Sequence, residues 1–163
     1  TESSRMINER QPAETTSFIL DLMQQRLLPE NAKVALLGMA FKGIPATDDL
    51  RGSMSTKIIE ALLVARPEVD IHLYDPVINA TTLAERFPGT TTCSDLMDAV
   101  EGASLVIIAN NHPSLGEHPP TTLLALMRPD GFIYDYWNHF RDLSTGSWMA
   151  HYFAVGNTSR PMT

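Results

Sequence analysis

The chain has 163 residues, 44% hydrophobic and 19% charged, with a formal net charge of −7. That length fits one domain with its own core, and the acidic balance argues against a broad nucleic-acid surface while leaving room for a local basic anion site. No apolar run approaches the ~18 residues of a membrane-spanning helix, so neither nucleic acid nor membrane is an expected partner.

The first residue is Thr1, and no signal peptide is visible. The chain therefore reads as trimmed at its start and as cytoplasmic. Residues 1–11 are polar. Pro12 then opens a predicted helix, with Phe18, Ile19, Leu22, Met23 and Leu27 at helical spacing as far as Leu28. Pro29-Glu30-Asn31 ends it. Lys33 to Leu37 is a predicted strand. Ser53 caps a predicted helix to Arg66, with Met54, Ile58, Ile59, Leu62 and Leu63 on one face.

Val69 to Tyr74 reads as a strand stopped by Asp75-Pro76. A helix is expected from Asn79 to Phe87, then a short β-branched strand over Thr90–Thr92. Ser94 is the expected cap of a helix to Val100, with Asp95 in its first turn. Leu105 to Ala109 is an uninterrupted apolar strand, Thr121 to Met127 a helix, and Phe132 to Tyr134 a strand after Pro129-Asp130-Gly131. Tyr152 to Val155 is a last short strand, ended by Gly156. Alternating strands and helices, with fully apolar strands, predict an α/β fold. The expected architecture is a Rossmann-like, doubly wound and mainly parallel sheet of five to six strands with helices on both faces.

In such a sheet the ligand sits outside the C-terminal strand ends. The segment Gly38–Ser53 falls there, after the first strand. It carries two cations, Lys42 and Arg51, and two carboxylates, Asp48 and Asp49, more charge than a connector needs. It is neither a dinucleotide Gly fingerprint nor a Walker loop. Lys42 is a surface lysine or a phosphate contact; Phe41 is core or an apolar wall for a nucleotide base. Adjacent carboxylates in a turn bond backbone N–H groups or a nearby Arg more often than a hard metal, and no metal site is expected.

Asp75 stands where a Rossmann acid binds a ribose, but Asp-Pro after a strand is also an ordinary turn, the reading preferred. His112, in Asn110-Asn111-His112-Pro113, either orients a substrate or satisfies backbone groups. The aromatics of Asp135-Tyr136-Trp137-Asn138-His139 suggest an interface or a base platform, against simple packing. Cys93 is the single cysteine, so no intrachain disulfide and no cysteine-based zinc site can form. It lies before a helix, where a thiol can be activated. Inert, half-buried packing is the expected state.

The sequence resembles the UDP-glucose/GDP-mannose dehydrogenase family in its C-terminal, nucleotide-sugar-binding domain. The resemblance rests on Ala40-Phe41-Lys42 followed by Thr47-Asp48-Asp49-Leu50-Arg51-Gly52-Ser53. Leu73-Tyr74-Asp75-Pro76, Ala103–Ala109 and Gly131-Phe132-Ile133-Tyr134-Asp135 come next in the family's order. It implies a nucleotide sugar as ligand, UDP- or GDP-linked, and oxidation of its C6 alcohol to a carboxylate with NAD as cofactor in a full-length, homo-oligomeric enzyme. It implies that Phe41 and Lys42 contact the nucleotide sugar and that Arg51 reaches the NAD cleft. It also implies that residues 1–30 join a central helical domain, leaving 31–163 as the nucleotide-sugar-binding unit.

The departures are as informative. No Gly-rich NAD turn and no Gly-rich cysteine loop occur within these residues, so no catalytic residue is expected and the chain alone should be inactive. Asp135-Tyr136-Trp137-Asn138 stands where many members place an Arg. Two extra residues separate Lys42 from Thr47 relative to the commoner form. The competing reading is a stand-alone nucleotide-binding or regulatory module without catalysis. The helix of residues 12–28, its stripe facing a missing neighbour, is expected to expose apolar surface.

Overall fold

The computed structural model describes residues 16–40, 50, 53–137, 139–140 and 146–154. Helix α1 covers 16–25. After it come β1 (Lys33–Leu37), α2 (Met54–Ala65), β2 (Asp70–Tyr74), α3 (Ala80–Arg86), β3 (Thr91–Thr92), α4 (Leu96–Val100) and β4 (Leu105–Ile108). The last elements are α5 (Pro120–Leu126), β5 (Phe132–Asp135) and β6 (Tyr152–Ala154). Two short 3₁₀ turns, Pro113–Gly116 and Ser147–His151, precede α5 and β6.

The six strands form one sheet in the order β3-β2-β1-β4-β5-β6. Every pairing is parallel, from Lys33 opposite Asp70 at one side of β1 to Val34 opposite Leu105 at the other. Strand alternation sends side chains to opposite faces, and both faces are covered. Val34, Leu36, Ile71, Leu73, Ile107 and Tyr134 pack under α1, α2 and α3. Ala35, Leu37, Val106, Ile108 and Ile133 pack under α4 and α5. The winding reverses between β1 and β4, and that junction is where a doubly wound sheet opens a crevice.

Local chemistry sets most element ends as expected. Ser53 caps α2, its side chain accepting from the Ser55 N–H, and Asn79 caps α3 by accepting from Thr82 N–H at 2.9 Å. One cap differs. Asp95, not Ser94, is the N-cap of α4, accepting from Met97 N–H. The two residues are adjacent and both of capping type. The register that wins is the one that buries Leu96, Ala99 and Val100 against the sheet. The predicted end of the last strand, at Val155 and Gly156, lies outside the described residues.

The stripe of α1 does not face solvent. Ile19, Leu22 and Met23 are buried in the domain's own core. Phe18 meets Tyr134 and Phe153 edge-on at 5.7 and 5.6 Å. The Arg26 guanidinium lies 5.4 Å from the Phe132 ring centre and donates to the Ala150 carbonyl at 2.8 Å. Only Leu27 of the stripe remains outside, 85% exposed and at positive φ. The expectation of a large exposed stripe is therefore corrected: aromatic residues of β5 and β6, distant in sequence, cover it.

Burial of this kind makes Leu22 a stability residue. Leu22→Ala should lower the unfolding free energy by about 3 kcal/mol in urea, with sedimentation unchanged. Loss of self-association without loss of stability would place the stripe at an interface instead.

Candidate functional site

The crevice starts where β1 ends. Gly38 has φ +89°, and a Cβ there would lie 2.7 Å from Asn110 Cγ. Only glycine permits both the backbone and this contact between the ends of β1 and β4. The Gly38 N–H donates to the Tyr74 carbonyl at 2.8 Å, and Ala109 N–H to the Leu37 carbonyl at 2.8 Å. Three strand ends are thus drawn together at the point where the winding reverses.

Asp75 holds the chain as it leaves Gly38. It is almost fully buried. One carboxylate oxygen accepts from Met39 N–H at 2.7 Å and Ala40 N–H at 3.0 Å. The other accepts from Val77 N–H at 2.7 Å and Ile78 N–H at 2.9 Å. The second pair is the turn expected after β2. The first pair reaches across 36 residues and locks the start of the Gly38–Ser53 segment. A carboxylate has about four acceptor sites, so Asp75 has none left for a ribose hydroxyl.

The far end of the segment is tied back to its beginning. Ser53 Oγ donates to the Met39 carbonyl at 2.7 Å, and Ser55 Oγ donates to the Gly38 carbonyl at 2.6 Å. Both serines are buried. The described residues on either side of positions 41–52 are therefore bonded directly to one another. Phe41, Lys42, Asp48, Asp49 and Arg51, the residues singled out in the sequence, lie outside the described residues.

The ends of β4 and β5 form the other wall. Asn110 is buried against Gly38 and accepts from His112 N–H at 3.1 Å. His112 Nδ1 accepts from Ser114 N–H at 3.2 Å and lies 2.8 Å from Ser114 Oγ. His112 is thus the cap of a 3₁₀ turn, the backbone-satisfying role. Asp135, fully buried, holds a second four-donor site. It accepts from Trp137 N–H (2.9 Å), His139 N–H (2.6 Å), His139 Nδ1 (2.9 Å) and the Tyr152 hydroxyl (2.7 Å). Nothing in the strand pattern announces either aspartate as a hub: Asp75 reads as a turn residue or a ribose-binding acid, and Asp135 only as the start of an aromatic stretch.

Of the two aromatics after Asp135, Tyr136 is buried on Tyr134, their ring centres 5.3 Å apart. Trp137 stays 45% exposed, with its indole N–H donating to the Ala109 carbonyl at 3.2 Å. Among the described residues there is no group of three His, Cys, Asp or Glu side chains that could hold a metal ion. Nor is any helix there long and apolar enough to cross a membrane.

Cys93 sits apart from the crevice, beside β3. Its sulfur is 4.0 Å from His72 Nδ1, and His72 Nε2 is 3.0 Å from Asp70. Burial pushes the Cys93 thiol above its ordinary value, outweighing the opposing influence of Lys33. A thiol held protonated is a poor nucleophile, which agrees with the packing role. The folded state keeps this proton to higher pH than the unfolded chain. Its contribution to stability is therefore present below the unfolded thiol pKa and is lost as pH rises through the folded one. Iodoacetamide alkylation of the folded protein should accordingly rise with pH later than that of the urea-unfolded chain. A folded midpoint below the free-thiol value of about 8.5 would contradict inert packing.

Comparison with known proteins gives a consistent picture. Residues 35–142 match the model of the UDP-glucose/GDP-mannose dehydrogenase family, UDP binding domain. A UDP-N-acetyl-D-mannosamine dehydrogenase of Pyrococcus horikoshii is 32% identical over 111 residues, covering 68% of this chain and 23% of that protein. A UDP-glucose 6-dehydrogenase of Haloferax volcanii is 36% identical over 105 residues, covering 64% of this chain and 22% of its own. The chain thus spans under a quarter of the length of these relatives. The solved structure of the UDP-D-ManNAc dehydrogenase from Pyrococcus horikoshii superposes on 94% of this chain, using 32% of its own length. Its TM-score is 0.73 at 27% identity.

Proposed function

The chain belongs to the UDP-glucose/GDP-mannose dehydrogenase family through its UDP binding domain, and from that premise we propose that it is the nucleotide-sugar-binding domain of an NAD-dependent nucleotide-sugar 6-dehydrogenase. The longer enzyme would oxidise the C6 alcohol of a UDP- or GDP-linked sugar to the carboxylate. Two hydrides pass to two NAD⁺, and the second carboxylate oxygen comes from water. Residues 1–30 connect to a neighbouring domain, 31–163 form the binding unit, and the longer protein is a cytoplasmic homo-oligomer.

The observation that carries this reading is the crevice itself. Asp75, Ser53 and Ser55 hold Gly38, Met39 and Ala40 at the β1/β4 junction, and the sequence between Ala40 and Ser53 carries two cations, Lys42 and Arg51. Such junctions are where α/β sheets bind nucleotides. Phe41 and Lys42 contact the nucleotide sugar, the ammonium facing the diphosphate. Arg51 faces the NAD cleft of the longer protein.

The described residues of this sheet do not themselves fit NAD. The acid in the ribose-binding position, Asp75, is saturated by backbone N–H groups, and Met39 and Ala40, at the first turn, have given their N–H groups to it. The role of this chain is therefore to bind and orient the nucleotide sugar, while hydride transfer belongs to parts of the longer protein beyond it. A stand-alone module is the less supported reading, because nearly the whole chain superposes on one third of a longer dehydrogenase.

Titration of the chain with UDP and GDP should shift the amides of Gly38–Ser53 with a Kd on the order of millimolar, about 4 kcal/mol, since half of the natural cleft is missing. Lys42→Ala should weaken that binding. No NADH should form from UDP- or GDP-sugars with NAD⁺. Shifts clustered elsewhere would refute the site, and turnover above a buffer blank would refute the reading of the chain as a binding domain.

A further inference from the structure

The described residues leave one aromatic ring at the ligand end of the sheet in water, and its surroundings are organised. Trp137 lies just past the end of β5. Its backbone N–H is held by Asp135 at 2.9 Å, the preceding Tyr136 N–H by the Ile108 carbonyl at 3.0 Å, and its indole N–H by the Ala109 carbonyl at 3.2 Å. These bonds lay the indole across the end of β4, one residue from Asn110, whose side chain meets Gly38 at the β1/β4 junction. The ring is held by the Ala109 carbonyl and its backbone by a buried carboxylate, yet it remains 45% exposed.

Tyr136 beside it turns inward and is buried, whereas Trp137 keeps part of its surface exposed. An indole whose N–H is already used presents only its π face and its edge to whatever lies in the crevice. That surface suits a flat heterocycle, which it can stack upon without needing a matched hydrogen bond. We infer that Trp137 is the wall against which the heterocyclic base of a bound nucleoside diphosphate stacks. The inference rests on the nucleotide reading above and adds the residue that receives the base. Because the indole donor is occupied, the wall discriminates poorly between uracil and guanine. Any preference between them must come from other groups.

The chain has two tryptophans. Trp148, packed edge-on against Tyr152 at 5.3 Å, is replaced by Phe so that Trp137 alone reports. UDP and inorganic pyrophosphate are then titrated separately, with indole fluorescence and the amide shifts of Gly38, Met39 and Ala40 as readouts. UDP should change the indole signal with the same Kd as the amide shifts, and pyrophosphate should leave the indole unchanged. Trp137→Ala should weaken UDP and GDP alike by about tenfold without altering pyrophosphate binding, and Trp137→Phe should recover most of the loss.

Amide shifts on UDP addition with a silent indole would overturn the stacking role and leave the nucleotide reading standing. So would an indole response equal for UDP and pyrophosphate. If UDP moved neither signal, the nucleotide reading would fail and the inference with it.

Discussion

The geometry of the ligand end depends on one buried carboxylate. Asp75 accepts four backbone N–H bonds, two from its own turn and two from the start of the segment after β1. A carboxylate out of water is tolerable only when its lone pairs are satisfied, and here they are filled entirely by main chain. The charge therefore acts structurally at long range. It joins the turn after β2 to the turn after β1, on which the candidate binding segment begins. Hydrogen bonds to charged groups contribute about 1.5–3 kcal/mol each, so losing this carboxylate should loosen both turns together.

Asp135 repeats the device on the other side of the junction. Each aspartate comes directly after a tyrosine at the end of a parallel strand, and each collects four donors. The two hubs flank the β1/β4 junction, one through β2 and the other through β5. The consequence for recognition is specific. In many nucleotide-binding turns the first N–H groups after β1 face the phosphate. Here Met39 and Ala40 N–H face Asp75 and are already spent on its carboxylate.

Local patterns made the strands and helices readable. The unbroken apolar runs at Val34–Leu37 and Leu105–Ile108 are buried on both faces, as the parallel sheet requires. Ser53 was legible as a cap because the cap bond spans two residues. What escaped was set by contacts distant in sequence. The apolar stripe of α1 showed that a face needed covering, but not that Tyr134 and Phe153 would cover it. Asp75 was legible as a turn residue, since Val77 and Ile78 are its neighbours. Its bonds to Met39 and Ala40 leave no local trace. Tyr136 and Trp137 looked equivalent in the sequence. The structure separates them: Tyr136 packs on Tyr134 and is buried, while Trp137 stays exposed.

Native-state hydrogen exchange of Asp75→Ala tests the central claim most directly. If the carboxylate holds both turns, the amides of Met39, Ala40, Val77 and Ile78 should lose protection together, by about 10-fold or more. The amides of β4 and β5 should keep theirs, and UDP-induced shifts at Gly38–Ala40 should weaken in the same variant. Unchanged protection of Met39 and Ala40 in a folded Asp75→Ala protein would contradict the account.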